Sequence, residues 1–385
     1  MYDMSVGCST VADDMVFLSY NGLNAMLAIC NEYANKWRYS YNSNKLVFNE
    51  HHKLTREMLF MIGDSIISEA SDYVHLGLKC DNVLSSQCCV RDASTKLRGT
   101  LLSITNSGFP VNCLNPISLR TIYISIVVPK ALYGCEMWAT LSTTDMQSLE
   151  RSHRFCMKYI QSMSRNTSSN LALCALNMVP METVIDQRKL LCRLPNTYLA
   201  KLVFNQRLIR FLNYDSQMNG FIPDIYRILQ KYGLCEVSFT YVRTGLFPKC
   251  AWKSTVNRCV IIPDKRSRFN TLLDTIYSPI LINVLREDNV CRLWSIAKSH
   301  SKYYPICKKL LNIITTMFSV DFNRQCTKCS IITNDTVIHW LCHCPANETL
   351  RYAVWDSLVA SKVYSAYIDT MFKSPPLCEF TDTRN

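Results

Sequence analysis

The sequence predicts an α+β protein, with a strand-rich start, a long helical stretch and a compact cysteine–histidine element near the end. Three observations carry this prediction. Short alternating and apolar runs punctuate residues 4–19, 46–48 and 58–78, the pattern of brief strands between turns. From Asp81 onward apolar residues recur at three-and-four spacing, the pattern of helices. Finally, Cys326, Cys329, His339 and Cys344 crowd into one short span.

In chain order, Met4 to Ser19 runs apolar on both sides of Ala12-Asp13-Asp14, which predicts a strand, an acidic turn and a second strand at Met15–Leu18. An amphipathic helix follows, capped by Asn21, with Leu23, Met26, Leu27, Cys30, Tyr33, Ala34 and Trp37 on its buried face. Asn42-Ser43-Asn44-Lys45 reads as a turn and Leu46-Val47-Phe48 as the strand after it. Met58 to Ile62 and Tyr73 to Leu78 read as a strand pair around Gly63-Asp64. Arg91 to Ile104, Leu114 to Val128 and Asp145 to Met163 then read as helices, interrupted at Pro129 and at Tyr133-Gly134-Cys135. In the last of these, Met146, Leu149, His153, Cys156 and Ile160 share one face, and Arg151, Arg154 and Lys158 the opposite one. The organisation expected is 1–80, 81–165, a helical connector over 166–320, the Cys/His element over 321–352 and a polar tail over 353–385.

The bulk numbers narrow the class. The chain has 385 residues, 48% of them hydrophobic, enough for two or three domains. Lys and Arg total 42 against 30 for Asp and Glu, and the net charge of +12 favours polyanionic partners such as RNA and DNA. The 20 cysteines come without a secretory leader pattern at the first residues, so the chain reads as intracellular, nuclear or cytoplasmic, with reduced thiols. Cys30, Cys156, Cys174 and Cys192 lie in apolar segments and read as small core residues. No apolar run reaches the ~18 residues of a membrane span; Ile122 to Val128 is the best candidate and is too short. Gly-x-Ser-x-Gly, Walker and His-Glu-x-x-His patterns are absent.

Three constellations carry candidate chemistry. Adjacent carboxylates at a turn, Asp13 and Asp14, can hold magnesium against substrate phosphates; Asp is equally an ordinary turn residue. Cys326-x2-Cys329-x9-His339-x4-Cys344 offers thiolates and an imidazole at the spacing of a tetrahedral zinc site. Cys342 and His343 are alternative fourth ligands, and free thiols are the alternative to a metal. The stripe of Arg151, Arg154 and Lys158 can track phosphates, or be a solvated helix face.

The ordered series Ala12-Asp13-Asp14, amphipathic helix, Asn42-x-x-Lys45 and Tyr73-Val74-His75-Leu76-Gly77 resembles the reverse transcriptase palm of non-LTR retrotransposons. The acidic hairpin resembles motif C, Asn42-x-x-Lys45 motif D, and the segment ending at Gly77 the primer grip of motif E. The segment Lys130 to Trp138 resembles the start of that family's thumb, and the Cys/His element its terminal knuckle, with Pro345 and Arg351 in place and Cys344 as the last ligand. The resemblance implies a partial palm over 1–80, a thumb over 81–165 and a parent RNA-directed DNA polymerase using Mg2+ and deoxynucleoside triphosphates. It implies metal ligation by Asp13 and Asp14, general-acid chemistry at Lys45, and primer contact at Gly77. It also implies nucleic-acid contact by the thumb stripe and the knuckle. Val11 departs from the family, which has an aromatic there. Motif A, motif B and the fingers have no counterpart in these residues, so the chain alone is expected not to polymerise. The alternative expectation is a non-catalytic nucleic-acid-binding remnant.

Overall fold

The computed structural model describes residues 8–11, 14–17, 23–41, 47–48, 60–81, 85–108, 111, 114–138, 141–192, 220–236, 249–275, 284–300, 303–316, 326, 328–332, 339 and 343–352. Described residues are mostly helical with small two-stranded sheets, in keeping with an α+β class. They belong to two compact units. One comprises Met1–Ile104, Tyr123–His153 and Pro180–Ile261; the other comprises Thr105–Ile122, Arg154–Val179 and Ile262–Asn385. Each unit is built from segments distant in sequence.

The first unit opens with an antiparallel hairpin, Cys8–Val11 against Asp14–Phe17, in which Val11 pairs with Asp14. Asp14 thus begins the second strand. The helix Leu23–Trp37 follows. Leu27 packs with Phe60, Ile62 and Ile67 into a small core, flanked by Leu23, Cys30 and Tyr41. The spacing predicts Tyr33 and Trp37 on the buried face, yet both are exposed: the side chains that turn inward, Leu23, Leu27, Cys30 and Ala34, form a narrower strip of the helix that leaves these two rings to one side. Asn21 lies outside the described residues.

The strand region is more finely divided than its apolar pattern suggests. Gly63-Asp64 closes a local hairpin, Met61–Ile62 against Ser65–Ile66. Val47–Phe48 pairs in parallel with Ser68–Glu69. Asp72–His75 pairs with Leu78–Asp81 through a turn at Leu76-Gly77, both with positive φ (49° and 79°). A two-residue turn with two positive φ values is the primed type that matches strand twist. So Gly77 sits at a hairpin tip rather than within one strand running Tyr73 to Leu78.

The helix Gln87–Asn106 buries Val90, Ala93, Leu97 and Leu101 along one face. Around Pro129 the chain stays helical, contrary to the expected interruption. A π-helical segment, Tyr123–Val127, leads into Val128–Ala131 with the proline in its first turn. Proline lacks an N–H and clashes with the carbonyl four residues back; a widened turn before it relieves both problems. The chain then breaks at Gly134, φ +73°. Buried Tyr123 meets buried His153, its hydroxyl 2.8 Å from Nδ1.

In the second unit, Trp294 is fully buried, and its indole N–H donates to Gln161 Oε1 at 2.9 Å. Gln161 Nε2 in turn donates to the carbonyls of Met157 and Ala172. These bonds satisfy the Gln161 amide, 1% exposed, and offset the cost of burying it. Tyr304 donates to the Val111 carbonyl. Cys156 is buried, Cys30 and Cys174 are half-buried, and Cys192 is exposed, so of these four only Cys192 departs from the expected core role. No described helix is long and apolar enough to cross a membrane.

Candidate metal centre

The clearest convergence of chemically capable side chains is the one the spacing singled out. The ligand atoms of Cys326, Cys329, His339 and Cys344 all lie within 4.8 Å of one another, the only such group among the described residues. The sulfurs of Cys326 and Cys344 are 3.8 Å apart. Cys329 Sγ stands 2.9 Å from His339 Nε2. With metal–ligand bonds of about 2.0–2.3 Å, donor atoms around a tetrahedral zinc stand roughly 3.3–3.8 Å apart. The thiol pair already has that spacing, and the Cys329–His339 pair needs to open by several tenths of an ångström. The four residues therefore fit a metal ion, and a donor set of three thiols and an imidazole is compatible with zinc.

Local backbone geometry holds the ligands in place. The Cys326 N–H donates to the Ile331 carbonyl and the Ser330 N–H to the Cys326 carbonyl, both at 2.8 Å. Ser330 has φ +59°, which tightens the loop between the first two cysteines. The backbone N–H groups of Lys328 and Cys329 face Cys326 and hold its thiol below the ordinary thiol range, which favours the thiolate a metal requires. Burial pushes the Cys329 thiol up. His339 is held below the ordinary histidine range, by desolvation first and then by the nearby His343 and Arg351, so its ring is neutral near pH 7.

The far end is fixed by Cys344. Its N–H donates to the His339 carbonyl at 2.5 Å, and its own carbonyl accepts from Asn347 N–H at 3.1 Å and from Arg351 Nη1 at 2.6 Å. Arg351 thus orients the backbone of a ligand. Of the alternative fourth ligands, His343 is exposed and outside the group, and Cys342 lies outside the described residues. Ser330 and the Lys328 N–H were not singled out by sequence; only the tightness of a Cys-x2-Cys loop hints at them.

Asp13 and Lys45 lie outside the described residues, and Asp14 begins a strand and pairs with Val11. Gly77 occupies the hairpin tip, where an added β-carbon would stand 3.5 Å from the Tyr133 ring. Arg151, Arg154 and Lys158 fall on the helix Thr143–Ile160, with both arginines exposed. Lys158 is half-buried and donates to the Arg165 carbonyl at 2.8 Å, which ties it to backbone.

No protein-family model matches the sequence. No curated protein matches it, and no solved structure matches it.

Proposed function

We propose that this chain is a carboxy-terminal part of a non-LTR retrotransposon reverse transcriptase, and that its own activity is to bind RNA and DNA around a zinc-held knuckle. The observation that carries the reading is the convergence of Cys326, Cys329, His339 and Cys344, the four residues that match the family's terminal knuckle. The hairpin of Cys8–Val11 with Asp14–Phe17, the helix Leu23–Trp37 and the later hairpin with Gly77 at its tip support this reading, which matches them to the region of motifs C to E of a palm. The exposed arginines Arg151 and Arg154 suit a thumb that grips phosphates. Four protein ligands close the zinc site, so the metal has a structural role here and leaves no open position for a reacting water. In the parent polymerase, Asp13 and Asp14 would hold Mg2+, and Lys45 would protonate the leaving pyrophosphate. The residues matched to the polymerase site are Asp13, Asp14 and Lys45, and primer extension by this chain alone is expected to be nil.

The test has two parts. Metal analysis of the purified chain is expected to give about one zinc per chain, lost in the Cys326→Ser/Cys344→Ser variant. Titration of labelled RNA and DNA is expected to show binding that weakens steeply as salt rises. A chain that binds neither nucleic acid overturns the functional reading. Magnesium-dependent nucleotide incorporation by the purified chain overturns the expectation of inactivity.

A further inference from the structure

The end of the helix Leu23–Trp37 carries an aromatic cluster that the small core below it leaves outside. Tyr33 is 56% exposed, Trp37 61% and Tyr39 42%. Large apolar side chains normally go inward, and a contiguous exposed group of them marks a contact surface. The rings touch one another: Tyr33 and Trp37 lie 6.1 Å apart between centroids, Tyr33 and Tyr39 6.3 Å, and Tyr39 and Tyr41 5.4 Å. The Tyr39 and Tyr41 hydroxyls are 3.0 Å apart, which braces one end of the row.

Backbone geometry builds this row. Arg38 has φ +57°, the left-handed conformation that usually falls to glycine after a helix. The Tyr39 N–H returns to the Ala34 carbonyl and the Arg38 N–H to the Asn35 carbonyl, the paired bonds of a Schellman helix end. That turn folds Tyr39 back against Tyr33. A glycine would make the same turn without strain, but the sequence places a cation there. Lys36 lies on the other side, its ammonium 5.9 Å from the Trp37 ring centroid, and both Lys36 and Arg38 are exposed.

We infer that Tyr33, Trp37 and Tyr39, with Lys36 and Arg38 between them, form a stacking platform for the unpaired bases of single-stranded nucleic acid. Every base presents a π-face to an aromatic ring, and interleaved cations meet the phosphates between successive bases. Bases within a duplex are already stacked on each other and offer no free face, so the platform discriminates in favour of single strands. The exposed charges around the rings are Glu32, Lys36 and Arg38, net positive, which a polyanion matches better than an apolar partner face does. The inference rests on the nucleic-acid reading above and names the form of nucleic acid and the residues that receive it.

The experiment is anisotropy titration of the full chain with a fluorescent oligothymidylate, and with a duplex of equal length. The Trp37→Leu/Tyr39→Leu variant is expected to lose about tenfold or more in single-strand affinity with duplex affinity unchanged, while Trp37→Phe, which keeps a ring, retains most of it. These side chains are exposed, so circular dichroism of each variant is expected to match the parent. Photo-cross-linking of a 5-iodouracil oligonucleotide is expected to map to Tyr33, Trp37 or Tyr39. Equal single-strand affinity in the leucine variant overturns the platform and leaves nucleic-acid binding standing. No binding of either oligonucleotide by the parent chain overturns both. A self-association that the leucine variant abolishes, with oligonucleotide affinity unchanged, also overturns the platform and assigns the face to a second copy.

Discussion

At Gly134 the backbone φ is +73°, and a β-carbon built there would stand 2.2 Å from Leu78 Cδ2. Gly134→Ala therefore combines a left-handed penalty of about 1–2 kcal/mol with displacement of Leu78. A loss of roughly 1–3 kcal/mol is expected in urea unfolding, and an unchanged midpoint would show that the turn relaxes freely. Arg38→Gly is the opposite case. Relief of about 1–2 kcal/mol of left-handed strain outweighs the added chain entropy of glycine, about 0.5–1 kcal/mol, so the variant should be slightly more stable. It should nonetheless bind oligothymidylate more weakly, and stronger or equal binding would count against a role for the cation. Single residues were legible in the sequence where chemistry is local. Cys326, Cys329, His339 and Cys344 lie within one short span, and soft ligands at loop spacing have few other reasons to cluster. The exposure of Tyr33 and Trp37 is not legible in the sequence, because helical periodicity marks a face but not how wide a strip of it the packing partner covers.

At the scale of elements, the helices Met181–Leu191 and Phe221–Lys231 meet through charges as well as apolar packing. Lys189 is buried and donates to the Trp138 carbonyl at 2.8 Å and to Asp224 at 2.9 Å. Lys231 bridges Glu182 and Asp186, and Asp186 also accepts from the Tyr232 hydroxyl. The side chains of Lys189 and Asp224 are only 5% and 7% exposed, so removing one partner strands a buried charge. Asp224→Ala should cost about 3–5 kcal/mol, whereas Lys189→Met with Asp224→Leu should come closer to neutral. Denaturant unfolding of the single and double variants checks this, and equal losses in both would refute it. No periodicity rule foretells such a pair, because it depends on which two helices meet. The uninterrupted helix at Pro129 escaped the sequence for a related reason: proline rules assume an ordinary α-turn before it, and here a π-turn stands in that place. The metal centre makes its own prediction at this scale. Its ligands bind metal only when deprotonated. Three thiols and an imidazole must give up protons to hold a metal, so zinc affinity should fall steeply as pH falls, as titration against a chromogenic zinc indicator would report. An affinity independent of pH would mean that these side chains do not hold the metal.

For the whole molecule, what was legible was class and charge: an α+β content with helices dominant, and an excess of cations. The division into two units, each gathered from separated segments, was not, since linear pattern carries no record of which distant helices share a core. Charge is the property of the whole chain that leads most directly to a measurement. A net charge of +12 spread over 385 residues raises the encounter rate with any polyanion, but only cations that touch phosphates release counterions. The two can be separated through the salt dependence of binding. Each phosphate contact adds about 0.9 to the slope of log affinity against log salt on duplex DNA. Arg151 and Arg154 are exposed on the helix Thr143–Ile160, and Lys158 donates to the Arg165 carbonyl. If both arginines meet phosphates, Arg151→Gln with Arg154→Gln should flatten the duplex slope by about 1.8, and Lys158→Gln, whose ammonium would first have to leave that carbonyl, should flatten it much less. If the double variant lowers affinity at every salt concentration without changing the slope, the arginines act through the general field of the protein and make no phosphate contacts. A slope that falls by one contact for Lys158→Gln would instead mean that this lysine leaves its backbone carbonyl for a phosphate when nucleic acid binds.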